Sequence, residues 1–448
     1  MKRIKLAFAA FIVVPIALWL FADSLIPDPF TYFTFRAVFV QLTGVVAISA
    51  MSVATILALR PRWIEPHLRG LDKMYRLHKW LGIAVLAVAV LHWWWAQGTK
   101  WMVGWGWLAR PVRGGGQGQG PGPEPAGVGE WLQGQRGLAE NLGEWAFYAI
   151  VLLIALALWK RFPYHLFVKT HRWISVAYLV LVYHAAVLVE AAYWSQPVGW
   201  LLAALLVAGT VAALLALAGR IGRGRKVAGA IESIIEYPEL RVLETRVRLQ
   251  HGWPGHKAGQ FAFVQSDRKE GAHPYTIASA WHAEDPHVTF ITKALGDHTG
   301  RLRERLKPGM DVTVEGPYGC FDFDDGRPRQ IWVGAGIGIT PFVARMKHLA
   351  RDPSERPVDL FHPTADISEV ALGKLAADAE AAGVRLHVLV SPRDGLLTAA
   401  DIRKAVPDWA SASIWFCGPP RFGAALLADF RAHGLAHGAF HQELFEMR

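Results

Sequence analysis

Six apolar stretches, each near the ~20 residues that a helix needs to cross a bilayer, fill the first half of this chain and dictate its class. They fall roughly at 5–22, 36–58, 79–97, 145–160, 172–193 and 197–219. A chain in lipid must satisfy its backbone hydrogen bonds internally, so these stretches predict a bundle of six transmembrane helices. The first begins MKRIK but lacks a small-residue cleavage site, because Ala22 runs into Asp-Ser-Leu-Ile-Pro. It reads as a retained helix rather than a removed leader. Past about residue 219 the apolar runs stop, and mixed-charge, alternating sequence takes over.

Charge gives the orientation. Residues 1–5, 60–79, 160–172 and 220–226 are basic, whereas 23–35 and 194–196 carry almost no Lys or Arg. By the positive-inside rule both termini and the soluble half are expected in the cytoplasm, with the chain crossing the cell's inner (plasma) membrane many times. The net charge of +10 belongs to this topology signal rather than to nucleic-acid binding, since the basic residues cluster beside apolar segments and no nucleic-acid module is present. The loop 98–144 contains GGGQGQGPGPEPAG, a low-complexity stretch. Only two cysteines occur, Cys320 and Cys417, which excludes a Cys-ligated iron–sulfur cluster and a Cys-rich zinc site. A redox centre in this chain is therefore organic or held by histidine.

The third span carries His78 and His92, fourteen residues apart, and the fifth carries His171 and His184, thirteen apart. At 1.5 Å rise per residue each pair covers roughly 20 Å, most of the hydrocarbon thickness. A single intramembrane histidine often lines a bundle interior without a ligand. Four of them, matched in depth on two same-direction helices, suit two haems stacked across the membrane, each gripped by two imidazoles. Thirteen residues of ideal helix rotate the second histidine away from the first, so the fifth span is expected to tilt or to tighten locally. Arg36, a lone charge entering the second span, is a candidate partner for the propionates of one haem, or equally a snorkelling interface anchor.

In the second half, RVLETRVRL, QFAFVQ, HVTFITKAL and DVTVEGPYG alternate as short antiparallel strands, predicting a β-barrel over 221–326. From residue 327 to 448, IWVGAGIGITPFVARMKHLA, VDLFH, VRLHVLV and SIWFCGPP alternate strand with helix, predicting a parallel α/β domain. The turn at Gly334, Gly336 and Gly338, followed by Thr340 and Pro341, has the mechanics of a phosphate cradle: close backbone approach, then a helix N-terminus.

Read together, HPYTIAS at 273–279, KAGQF at 257–261, GDHTG at 296–300, EGPYG at 315–319, the glycine turn, and CGPP from Cys417 resemble the ferric reductase and NADPH oxidase superfamily. The resemblance covers nearly the whole chain. It implies a six-helix haem domain at 1–220, an FAD-binding barrel with a ferredoxin–NADP reductase-like character, and an NAD(P)-binding domain. It implies that His273, Pro274, Tyr275, Thr276, Ile277 and Ser279 form the flavin motif, with Tyr275 packed near FAD and the Thr276 hydroxyl bonded to the flavin ring. Thr292, Lys293, Thr299 and Gly300 complete that site. The glycine turn with Cys417, Gly418 and Pro419 forms the nicotinamide site, placing Thr276 and Cys417 near hydride transfer. Phe445 corresponds to the terminal aromatic that covers the flavin until nicotinamide displaces it. The superfamily's haem ligands are histidine pairs of this spacing, matching His78, His92, His171 and His184.

Two departures stand out. His273 occupies a position where many ferredoxin-reductase relatives carry Arg, and VDLFHPTADISE lacks the Arg that NADP-selective members often place after that strand. Arg393, in Ser391-Pro392-Arg393, is the alternative grip for a 2′-phosphate, which favours NADPH over NADH as the donor. The expected function is a transmembrane oxidoreductase carrying electrons from NAD(P)H through FAD and two b-type haems. Its acceptor is expected to be dioxygen, giving superoxide; the alternatives are a ferric chelate or a periplasmic protein partner docked on loop 98–144.

Overall fold

The computed structural model describes residues 2–109, 131, 134–267 and 270–443. The chain divides into two compact units, one within residues 2–221 apart from 69–72, the other formed by 222–443 with 69–72.

Among the described residues, six helical spans of the first unit are long and apolar enough to cross a membrane. They are α1 (Lys2–Ala22), α2 (Tyr32–Ala58), α3 (Leu71–Gly104), α4 (Arg136–Leu158), the pair α5 (Tyr164–His171) and α6 (Ile174–Leu188), and α7 (Pro197–Leu217). The third runs well beyond the apolar core read from the sequence, because its polar ends continue the helix. Thr31 starts α2 by accepting from the Thr34 backbone N–H, a reciprocal cap that fixes where the chain enters the bundle. Helix α2 is central: its buried face from Thr43 to Leu57 is met by α1, α6 and α7. Tyr178 of α6 is fully buried, and its hydroxyl shares a 2.8 Å hydrogen bond with Ser52 of α2. Gly209 of α7 leaves room for that phenol, since a Cβ there would collide with it. Meanwhile Leu6, Phe21, Leu152 and Val207 point outward, as a lipid-facing surface requires.

Between α5 and α6 the helix tightens. The amides of Trp173, Ser175 and Val176 donate three residues back instead of four, to Thr170, Arg172 and Trp173. Each step at three residues per turn adds about 20° over an α-helical step, so this short segment swings His184 back toward the face that carries His171. The local tightening expected of the fifth span is present.

The second unit holds two sheets. Strands β1 (Lys226–Tyr237), β2 (Val242–Leu249), β3 (Phe261–Gln265), β4 (His273–Thr276), β5 (His287–Lys293) and β6 (Asp311–Tyr318) form an antiparallel sheet in the order β4-β3-β6-β1-β2-β5. Their inward residues, among them Val247, Ala262, Ile277, Val288 and Val314, make one core. The parallel sheet contains β7 (Gln330–Gly334), β8 (Val358–Thr364), β9 (Arg385–Val390), β10 (Ser413–Cys417) and β11 (Phe440–Gln442), in the order β11-β10-β7-β8-β9. Helices α8 (Thr340–Leu349), α9 (Glu369–Ala381), α10 (Ala399–Ala405) and α11 (Pro420–Ala432) alternate with its strands. Its strand order reverses between β7 and β10, which opens a crevice at their carboxyl ends, the place where doubly wound sheets bind ligands.

The core on one face of this sheet is aromatic: Phe323, Trp332, Phe342 and Trp415 are essentially sealed from solvent and meet edge-on or tilted at 5.1–5.7 Å. Truncating Phe342 to Ala leaves a cavity there and is expected to cost about 3–5 kcal/mol. Thermal unfolding of the full chain, followed by soluble-domain tryptophan fluorescence, should show a midpoint lowered by several degrees.

Candidate functional site

Both intramembrane histidine pairs meet. The ring centroids of His78 and His171 lie 6.0 Å apart with planes at 68°, and those of His92 and His184 lie 6.3 Å apart with planes at 78°. Two metal–imidazole bonds of about 2 Å, plus roughly 1 Å from each nitrogen to its ring centre, set trans imidazoles about 6 Å apart. Each gap is therefore the width of one axially ligated metal ion.

The remaining nitrogens say which atom faces the gap. Nδ1–H of His78 donates to the Ala54 carbonyl at 2.9 Å, that of His92 to the Val40 carbonyl at 3.1 Å, and that of His184 to the Ala139 carbonyl at 2.8 Å. A carbonyl only accepts, so Nδ1 carries the proton and Nε2 keeps the lone pair a metal needs. His171 differs: its Nδ1 has no hydrogen-bond partner among the described residues, and its ring instead packs on Phe167 at 5.0 Å.

A cavity of about 250 Å³ adjoins the His92–His184 pair and is lined by Arg36, Lys100, Arg136, Gly44 and Gly143 as well. Arg36 lines it while donating to the carbonyls of Trp95 (3.1 Å) and Ala96 (2.9 Å). Two glycines make this geometry possible. A Cβ on Gly44 would press to 3.3 Å from the His92 ring, and one on Gly143 would overlap the His184 ring outright. Sequence reasoning missed both, although a glycine in an apolar span level with a histidine is a readable signal. Glu140 and Glu144 line the cavity too, Glu140 paired with Arg136 at 3.8 Å, which leaves Arg36 and Lys100 as the cations that would meet the anionic edge of an iron porphyrin held by the paired imidazoles.

In the second unit, β4 carries the expected flavin motif. His273 stacks face to face on His298, centroids 3.5 Å apart and planes within 9°. Glu270 lies 3.7 Å from His298 Nδ1 and is anchored by Arg305 at 2.7 Å, while the Tyr275 hydroxyl bonds His298 Nε2 at 2.9 Å. Burial, reinforced by the neighbouring His298, holds His273 down to about 4, so both rings are neutral near pH 7. Pro274 pairs with Phe263 across the sheet, Thr276 is buried, and Ile277 is buried in the core of the antiparallel sheet. Ser279 Oγ accepts from the Thr289 amide at 3.1 Å, and the Thr292 hydroxyl donates to Leu243 at 3.4 Å. Thr299 Oγ1 receives the amides of Leu295 (3.0 Å) and Gly296 (3.2 Å), closing the short turn that ends at Gly300.

At the crevice of the parallel sheet, the glycine turn and the CGPP motif are built against each other. Gly334 pairs with Cys417, and the Ala335 amide donates to the Cys417 carbonyl at 3.0 Å. A Cβ on Gly338 would collide with that carbonyl, Gly336 needs φ +55°, and a Cβ on Gly418 would meet Ala335 at 2.7 Å. The Thr340 hydroxyl donates to Ile337 at 2.8 Å, and Pro341 occupies the first turn of α8. Burial pushes the Cys417 thiol well above its ordinary value, so it stays protonated. Pro419 caps α11. Lys293 makes a 2.6 Å ion pair with Asp366. Arg393 is exposed and forked onto Asp394 at 2.8 and 3.0 Å. Phe445 lies outside the described residues.

Residues 43–182 match the ferric reductase like transmembrane component family, and residues 234–321 match an FAD-binding domain family. Over 171 residues the chain is 31% identical to an NADPH oxidoreductase of Mycobacterium tuberculosis, covering 37% of this chain and 45% of the relative. It is 34% identical over 104 residues to ferric reduction oxidase 5 of Arabidopsis thaliana, covering 22% of this chain and 15% of the relative. It is 28% identical over 202 residues to a superoxide-generating NADPH oxidase heavy chain of Dictyostelium discoideum, covering 40% of this chain and 36% of the relative. The chain spans about half the length of the first curated relatives it matches.

Two outcomes are expected from this geometry. Gly143→Val should displace the His184 ring and halve the haem-to-flavin ratio of the purified protein, measured by pyridine haemochrome absorbance, while leaving the His78–His171 pair intact. In the flavin-free protein, His273 titrates near 4 folded against about 6.5 unfolded, so the unfolded state binds more protons between those values. Stability is then full above about pH 6.5 and declines as pH falls toward 4. The thermal midpoint should fall from pH 7 to pH 5, with a shallower fall in His273→Asn.

Proposed function

We propose that this chain, whose residues 43–182 match the ferric reductase like transmembrane component family and 234–321 an FAD-binding domain family, oxidises NAD(P)H on the cytoplasmic side and delivers single electrons across the membrane to dioxygen. The balance is one NAD(P)H and two dioxygen molecules giving NAD(P)⁺, one proton and two superoxide ions. The observation that carries this reading is the pair of histidine gaps, each the width of one iron, placed at two depths of the same helices.

When bound, FAD supplies the conversion of a hydride into single electrons, and two b-type haems supply one-electron carriers. The chain's own residues position and exclude. His78 with His171, and His92 with His184, would hold the two irons by Nε2, and the carbonyls of Ala54, Val40 and Ala139 fix three of the four rings in that tautomer. With two imidazoles of the chain holding each iron, the acceptor would be reduced without binding the metal. Arg36 and Lys100 line the cavity beside His92 and His184 and would face the propionates, while Arg136, also in that lining, is paired with Glu140 at 3.8 Å. Thr276 would bond the flavin ring, and the glycine turn with Gly418 and Pro419 would seat the dinucleotide. The protonated, buried Cys417 adds no negative charge beside the transferring hydride. Phe445 is proposed as the flavin cover.

A ferric chelate is the second reading, favoured by the relatives from Arabidopsis thaliana that are named ferric reduction oxidases. The test is to reduce detergent-purified protein anaerobically with NADH or NADPH and then admit air. Rapid reoxidation with dismutase-sensitive cytochrome c reduction is the expected result. Sluggish reoxidation in air that becomes fast with ferric citrate would replace the oxidase by a metal reductase. Absence of any reduction by either nucleotide would overturn both.

A further inference from the structure

The second unit contains a cavity of about 120 Å³ beside the glycine turn. Its walls include Gly336 and Ile337 from the glycine turn, Lys293 from β5, and His362, Thr364 and Asp366 from the end of β8 and the loop after it. The segment β7–turn–α8–β8 is one β-α-β unit, and the dinucleotide's adenosine ribose lies at the carboxyl end of the second strand of such a unit. Asp366 sits there, two residues past the last residue of β8. A carboxylate at this point accepts from the two hydroxyls of an unmodified ribose, and it opposes a 2′-phosphate by like-charge repulsion.

The cations around the cavity do not offset it. Lys293 is spent on Asp366 at 2.6 Å, and Lys374 is clamped by both oxygens of Glu244 at 2.7 and 2.8 Å. Lys347 lies within electrostatic reach of Asp378, another wall residue. His362 donates its Nδ1–H to the Gly334 carbonyl at 2.7 Å and is buried, a setting that keeps it neutral. Each lysine of the cavity thus faces a carboxylate. Arg393, the 2′-phosphate grip suggested by sequence, is not among the wall residues and is forked onto Asp394. The Thr364 hydroxyl donates to the Asp366 carbonyl at 2.9 Å and holds the loop in its turn, so the carboxylate has a fixed place.

We propose that Asp366, held by Lys293, is the residue by which this protein discriminates against the 2′-phosphate of NADPH. This deepens the NAD(P)H-dependent reading above and rests on it for the identity of the ligand. Lys293 has a second consequence: it pins the carboxylate against the wall and neutralises part of its charge, so removing it sharpens the discrimination.

The test uses the full-length protein and two dinucleotide fragments, 2′,5′-ADP and 5′-ADP, bound by calorimetry, alongside kcat/KM for NADPH and NADH. In Asp366→Asn the affinity for 2′,5′-ADP relative to 5′-ADP should rise about tenfold, and the NADPH/NADH ratio of kcat/KM should rise with it. Asp366→Ser should do the same, and Lys293→Met should move the binding ratio the opposite way. An unchanged ratio in both Asp366 variants, with native unfolding midpoints, would overturn the assignment. The binding ratio decides this point even without turnover: fragments that bind and discriminate while neither nucleotide reduces the flavin would sink the proposed function and leave the role of Asp366 standing.

Discussion

Three hydrogen bonds from imidazole Nδ1–H to main-chain carbonyls of neighbouring helices set the architecture of the membrane unit. A ring nitrogen without a partner is costly in an apolar interior, and the carbonyls of Ala54 and Val40 on α2 and Ala139 on α4 meet that need without adding another side chain. The bond is possible only where the helix backbone comes close, which is why Gly44 and Gly143 sit opposite His92 and His184. One interaction therefore fixes tautomer, ring orientation and helix spacing together. It leaves the Nε2 lone pairs of His78, His92 and His184 free, with ring centroids 6.0 and 6.3 Å apart across the two pairs. His171 is the exception. Placed where helix α5 ends and the chain tightens, it lacks that partner and is steadied by Phe167.

The second unit obeys a different constraint. Its parallel sheet reverses strand order between β7 and β10, so the carboxyl ends of those strands diverge and the glycine turn and the CGPP motif border the crevice. The glycines are there because a Cβ would close it: at Gly338 on the Cys417 carbonyl, and at Gly418 on Ala335. The aromatic core of Phe323, Trp332, Phe342 and Trp415 beneath the crevice keeps these loops on a rigid base.

Much of this was legible in the sequence because its signals are periodic or spaced. Apolar runs of membrane length gave all six spans, and the strand alternation gave both sheets. The fourteen-residue interval between His78 and His92 placed them on one face of α3 by helix geometry alone. The thirteen-residue interval of the fifth span demanded a distortion, and three short-range backbone bonds near Trp173 supply it. What the sequence hid is what depends on contacts between distant segments. The roles of Gly44 and Gly143 appear only once a histidine from another helix is beside them. The stacking of His273 on His298 joins residues 25 positions apart, and the pairing of Lys293 with Asp366 joins β5 to the loop after β8. Arg393 looked available for a phosphate because its partner, the adjacent Asp394, is a local ion pair that pattern reading does not weigh.

The four histidines are proposed to hold two irons at two depths. Low-temperature electron paramagnetic resonance of the oxidised, purified protein, quantified against its FAD content, tests it directly. The account predicts low-spin ferric signals of bis-imidazole type integrating to two per flavin, with one signal lost in His92→Leu and the other in His78→Leu. A single signal per flavin, a high-spin spectrum, or no haem at all would contradict it.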